Sequence, residues 1–303
     1  MIAVTKSNRT FFQGMFFLII AQTMVGVNIV FSKYVLSSIP ILFILTLRFT
    51  LAAIFLFPFH WLTSAKKSPI SSYFSQLTKK DWGFIFAQAL AAGILFNFFI
   101  LWGLNYTDAN VAGIITSALP AIIAIMSWII LGEKISGKKA ICVGFATLGL
   151  VVIAFDKLRG IDVSHSFFGD VLILVSLLPE ATYYILSKMH VNSLPVFIIS
   201  SLLNGINAVI LILCLAFTEW NGLTIRPLDW LILIILGVSS GFFYVFWYFG
   251  CQKVDGVMAS LSTAVMPLAT VLLAWLFLGE QLTLGQTVGM SMVILSIAVY
   301  AKR

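Results

Sequence analysis

The chain is 303 residues long, 61% hydrophobic and 10% charged, with a mean hydropathy of +1.07. Soluble domains carry about 45–50% apolar and about 25% charged residues, so a water-dispersed globular domain is excluded and lipid is the solvent that suits this surface. The formal charge of +7 comes from basic residues set between apolar runs, a pattern of loop charges that orient a membrane protein and not of a nucleic-acid face.

About 20 apolar residues cross the hydrocarbon core as a helix, and the chain offers ten such segments: 11–32, 40–62, 82–104, 109–131, 138–155, 167–187, 195–217, 228–250, 256–278 and 283–301. The first follows Lys6 and Arg9 as a signal peptide would. Its apolar run from Phe11 to Phe31 is too long for a signal core of about 7–15 residues, so it is read as a membrane helix. Asn28 sits at mid-depth in it and needs a partner in lipid. In the second segment Arg48 lies somewhat to the outer side of the middle. It serves a structural role as readily as a binding one, reaching Glu180, a substrate carboxylate or backbone carbonyls. Residues 63–81 form a basic loop on the membrane surface.

The fourth segment carries a small-residue row, Ala109, Gly113, Ser117 and Ala121, suited to close helix packing. Pro120 in the fourth segment and Pro267 in the ninth are expected to kink their helices and are the candidate hinges. "GEKISGKK" at 132–139 nearly spells a phosphate-binding loop, but Lys139 replaces the required Ser or Thr and the flanks are apolar helices. "GVSSG" at 237–241 lies inside the eighth segment and not on the strand-to-helix turn that a hydrolase elbow needs.

The sixth segment contains Pro179 and Glu180. A charge at mid-helix costs roughly 2.5–3.5 kcal/mol on insertion scales and normally borders the bundle interior or a wet cavity. Tyr183 and Tyr184 lie one turn away on the same face, a combination that suits an ammonium group through ion pairing and cation–π contact, or a carried proton. The blander alternative is a structural glutamate neutralised by Arg48. Asn204 and Asn207 in the seventh segment serve interhelical hydrogen bonding as well as substrate contact. Tyr244, Trp247 and Tyr248 in the eighth form an aromatic stripe with Ser240; Tyr244 is the deepest of the three rings. Cys142, Cys214 and Cys251 stand singly, without a CxxC pair, and are read as reduced packing residues; no metal, cofactor or catalytic set is expected.

Counting Lys and Arg with the N-terminus inside gives thirteen cytoplasmic residues against four outside, Lys33, Lys157, Arg159 and Arg226, which places both termini in the cytoplasm of an inner-type cell membrane. The chain also repeats itself. "GLNYTDANVAGIITSALPAIIAIMSWIILGEK" from Gly103 aligns without gaps on "GCQKVDGVMASLSTAVMPLATVLLAWLFLGEQ" from Gly250, and Ser32-Lys33 and Pro40 match Ser187-Lys188 and Pro195. Residues 1–156 and 157–303 thus hold five segments each, and an odd number inverts the second half. Glu133 and Glu280 close the paired blocks beside Ser136 and Thr283, where an acid favours the start of the next helix.

These paired "P…LGE" blocks, with "GVNIVFSKYVLSSIPILFILTLRF" at 26–49 and its echo "EATYYILSKMHVNSLPVF" at 180–197, resemble the ten-helix EamA family of the drug/metabolite transporter superfamily. The resemblance implies an all-α membrane protein of two inverted five-helix repeats around a central cavity, moving small metabolites by alternating access. On this reading Glu180, Tyr183, Tyr184, Tyr244, Trp247, Asn28, Arg48 and Asn204 are the candidate substrate-binding residues. The expected activity is secondary transport of an amine-bearing metabolite such as an amino acid, with export as the expected direction. A proton or another ion couples the step, and a homodimer is left open. Uptake of a quaternary amine is the alternative within transport, and a membrane enzyme or lipid-handling scaffold is the alternative outside it.

Overall fold

The computed structural model describes residues 2–63, 68–132, 166–189, 194–217, 225–254 and 261–301 apart from 282, together with 65, 137, 141, 144, 145, 148 and 259. Among the described residues the regular structure is helical, with no strand. Lipid offers the backbone no hydrogen-bond partners, and helices satisfy it internally. The helices are α1 (Ile2–Val35), α2 (Ile41–Leu56), α3 (Ile70–Ser75), α4 (Lys79–Gln88), α5 (Phe96–Leu104), α6 (Ala109–Thr116), α7 (Leu119–Leu131), α8 (Phe167–Met189), α9 (Val196–Leu215), α10 (Pro227–Cys251), α11 (Val265–Leu273) and α12 (Leu284–Ala301).

Seven stretches of the described residues are long and apolar enough to cross a bilayer, and they coincide with the first four and the sixth to eighth segments of the sequence. The ninth segment appears as the shorter apolar helix Val265–Leu278 and the tenth as α12. The fifth, 138–155, lies almost wholly outside the described residues.

The sequence repeat is echoed in the backbone. Pro40 and Pro195 are the N-caps of α2 and α9, with φ/ψ of −60°/144° and −58°/143°. Gly132 and Gly279, which end the paired blocks, are both left-handed, at φ 65° and 68°, a conformation glycine adopts without steric cost. Pro120 and Pro267 each follow a two-residue break, Ser117–Ala118 and Thr263–Ala264, and lie in the first turn of α7 and α11. The bend thus lies before each proline, as a break and not as a kink within one helix, because a missing N–H removes no intrahelical bond in a first turn.

α1 runs along α10 and α11, α2 along α9 and α10, and α5 along α8. Two of these crossings are made by glycines. A Cβ at Gly250 would meet Leu18 Cγ at 2.5 Å and the Gly14 carbonyl at 3.1 Å, bringing α10 onto α1. A Cβ at Gly103 would lie 2.8 Å from the Gly169 carbonyl, bringing α5 onto α8. Gly250 is the repeat partner of Gly103, so each crossing joins one half to the other. Glu280 makes a further link. Its Oε1 and Oε2 accept the Ala109 and Asn110 amides at 3.1 and 2.8 Å, so it caps α6 of the first half. Unpaired amides at a helix start attract a carboxylate wherever it comes from. Its partner Glu133 lies outside the described residues.

Candidate functional site

Between α1, α2, α5, α8 and α10, together with the turn preceding α5, lies a narrow central cavity with about 30 Å³ of room for water-sized occupants, space for one or two waters in this conformation. Its polar lining comes from Asn28, Arg48, Asn97, Glu180, Ser240 and Tyr244. Phe49, Phe96 and Phe243 supply apolar wall.

Arg48 and Glu180 are each 1% exposed. Among the described residues no nitrogen–oxygen contact of 4.0 Å or less joins them. Arg48 Nε and Glu180 Oε2 are both buried without a hydrogen-bond partner. The guanidinium carbon lies 4.9 Å from the centre of the neighbouring Phe49 ring, a cation–π contact that steadies the charge without neutralising it. On α8, one turn beyond Glu180, the Tyr184 hydroxyl accepts from Gln22 Nε2 at 3.0 Å. Pro179 precedes Glu180 inside the helix and removes one ladder donor.

Two further polar groups are fixed by local chemistry. Asn28 Oδ1 accepts from the hydroxyls of Ser239 and Ser240 at 2.9 and 3.2 Å, tying α1 to α10. Residues Ala89–Leu95 form a π-helical stretch between α4 and α5. Asn97 Nδ2 donates to the Ala92 and Gly93 carbonyls at 2.7 Å each, tying the start of α5 to the wider turn. A second such stretch, Ala274–Leu278, follows α11.

Of the residues singled out from sequence, Asn28, Arg48, Glu180 and Tyr244 border the cavity. Tyr183, Tyr184 and Trp247 pack on one another beside it. Tyr184 and Trp247 meet edge-on at 4.4 Å, and Tyr183 meets Tyr244 edge-on at 5.7 Å. Asn204 is fully buried elsewhere on α9, its Nδ2 donating to the Ser200 carbonyl at 2.7 Å. Pro120 and Pro267 lie away from the cavity lining. Gln22 and Asn97 were not singled out, although each is an amide inside an apolar run, the same signal that marked Asn28.

Residues 12–155 and, separately, 167–301 match the EamA-like transporter family. An uncharacterized transporter of Bacillus subtilis, YetK, is 28% identical over 279 residues, covering 90% of this chain and 82% of that protein. An uncharacterized transporter of Archaeoglobus fulgidus is 26% identical, covering 74% of this chain and 79% of its own length. A solved crystal structure shares the fold with a TM-score of 0.71 at 16% identity, covering 97% of this chain and 96% of that one. With the family matched across both halves and apolar helices that fit a bilayer, the chain belongs to the EamA-like transporter family and is a membrane transporter.

Proposed function

We propose that the protein is a gradient-driven exporter of small amine-bearing metabolites that also carry a carboxylate, amino acids being the simplest. The reading rests on one observation: an acid and a base border the same cavity without neutralising each other. A buried charge left without its opposite is costly, and a dipolar guest answers both, its ammonium at Glu180 and its carboxylate at Arg48. Asn28, Asn97 and Tyr244 add neutral hydrogen-bonding groups around it.

The proposed architecture is ten spans in two inverted five-helix repeats, residues 1–156 and 157–303, with both termini cytoplasmic. Its support is the double family match, the like-placed Pro40/Pro195 and Gly132/Gly279, and the reciprocal glycine crossings. Opposed repeats around a midplane site are built for alternating access.

Purified protein in liposomes tests the reading with labelled leucine and with isoamylamine, which lacks the carboxylate. Glu180→Gln is expected to lower flux of both at least tenfold. Arg48→Met is expected to lower leucine flux selectively. Unchanged flux and unchanged pH dependence in Glu180→Gln, at normal expression, would remove this carboxylate from the mechanism.

A further inference from the structure

We propose that Gln22, Gln88, Tyr183 and Trp247 form a second, uncharged subsite directly beyond the aromatic floor of the cavity, reached by water and by the hydroxyl, amide or carbonyl groups of a passing solute when those rings part. The proposal deepens the transporter reading and rests on it. Each of the four side chains is at most 3% exposed. Each carries a buried polar atom without a partner: Gln22 Oε1, Gln88 Nε2, the Tyr183 hydroxyl and Trp247 Nε1.

Their placement is consistent on four helices. On α1 the cavity touches Val25, Asn28 and Ile29, and Gln22 lies about one turn before them. The cavity begins at Ala92 on the third span, and Gln88 lies one turn before it. Glu180 is the cavity residue of α8, and Tyr183 lies three positions past it; Tyr244 is the last cavity residue of α10, and Trp247 lies three past it. All four steps lead toward the same membrane face, the one that holds Lys79 and, by the distribution of basic residues, the cytoplasm. Tyr183 packs on Tyr244 and Tyr184 on Trp247, so these rings join the last cavity residue of α10 to the subsite.

Buried polar groups in native proteins are almost always paired, so four unpaired ones at one depth call for a cause. They are not merely two halves of missed pairs, because two already spend their other atoms on neighbours. Gln22 Nε2 donates to Tyr184, and Gln88 Oε1 accepts from the Tyr248 hydroxyl at 3.1 Å. What stays open is three donors and an acceptor, the equipment of a wetted passage seen in its closed state. The layer is neutral, so it offers a solute leaving Glu180 and Arg48 no counter-charge on which to stick.

Single-cysteine proteins, made after Cys142, Cys214 and Cys251 are changed to serine, test this without any substrate. The impermeant thiol reagent 2-(trimethylammonium)ethyl methanethiosulfonate is added to the Lys79 face of sealed vesicles. Gln88→Cys and Gln22→Cys are expected to react at least tenfold faster than Ile85→Cys, an equally buried apolar position on the same helix. Equal rates would overturn the proposal and leave a static trapped water as the partner of these atoms. Asn28→Cys, probed from the opposite face, reports on the cavity alone, so a failure there falls on the proposed function and not on this layer. Tyr183→Phe keeps the ring and deletes an unpaired hydroxyl; an unchanged or higher Tm is expected. A lower Tm would make the hydroxyl a structural group and overturn its place in the subsite.

Discussion

The Arg48 guanidinium and the Glu180 carboxylate border one cavity, each 1% exposed, and do not form an ion pair. Breaking a buried pair costs about 3–5 kcal/mol because the survivor is stranded. Here each charge already stands alone. A double-mutant cycle on Arg48→Met and Glu180→Gln, read by unfolding in detergent, is therefore expected to give a coupling below about 1 kcal/mol. A coupling of the size of a broken pair would restore the view of Glu180 as a structural counter-ion.

Glu280 holds the start of α6 from the other half of the chain. Removing a cap typically costs about 0.5–2 kcal/mol. Glu280→Ala is expected to lose stability in that range and Glu280→Gln less, since an amide oxygen still accepts one N–H. Thermal unfolding of the purified variants measures both.

The glycines separate into tight and open positions. A Cβ at Gly103 would press on the Gly169 carbonyl at 2.8 Å, and backbone does not yield as a side-chain tip does. Gly103→Ala is expected to destabilise by about 1–3 kcal/mol, as overpacked cores do. At Gly83, inside α4, a Cβ would meet nothing within 4 Å, so Gly83→Ala is expected to stabilise by about 0.5–1 kcal/mol through helix propensity. The two Tm values should move in opposite directions.

Asn97 closes the carbonyls of Ala92 and Gly93 beside the cavity. Asn97→Leu removes two short buried hydrogen bonds, a loss of about 1–3 kcal/mol. Because the same turn shapes the cavity wall, transport of the wild-type substrate should fall by more than the drop in folded protein explains. Flux normalised to folded protein checks this.

Much of this was legible in the sequence because lipid imposes simple rules. Apolar runs of the right length marked the helices, and mid-depth charge marked Glu180 and Arg48, two residues from distant segments that the fold brings to one hollow. What sequence could not give was the direction of the neighbours. Tyr183, Tyr184 and Trp247 have the spacing of a ligand box, and the structure packs them on one another, Tyr184 edge-on to Trp247 and Tyr183 tilted against both. Aromatic quadrupoles favour that arrangement as strongly as they favour a cation. Glu280 lies beside the start of the next helix, and its carboxylate also reaches the first amides of α6 in the other half, a contact that no local spacing reveals. The π-helical stretch at Ala89–Leu95 had no signal at all, since periodicity does not distinguish one extra residue in a turn.

The glycine contacts of α1 with α10 and of α5 with α8 carry one further implication. At each one a partner side chain, Leu18 against Gly250 and Ile173 against Gly103, fills the place of the missing Cβ beside a bare carbonyl. The separation of the two rods is therefore set by an absent methyl group, and any side chain put there must wedge apart one helix from each half of the chain.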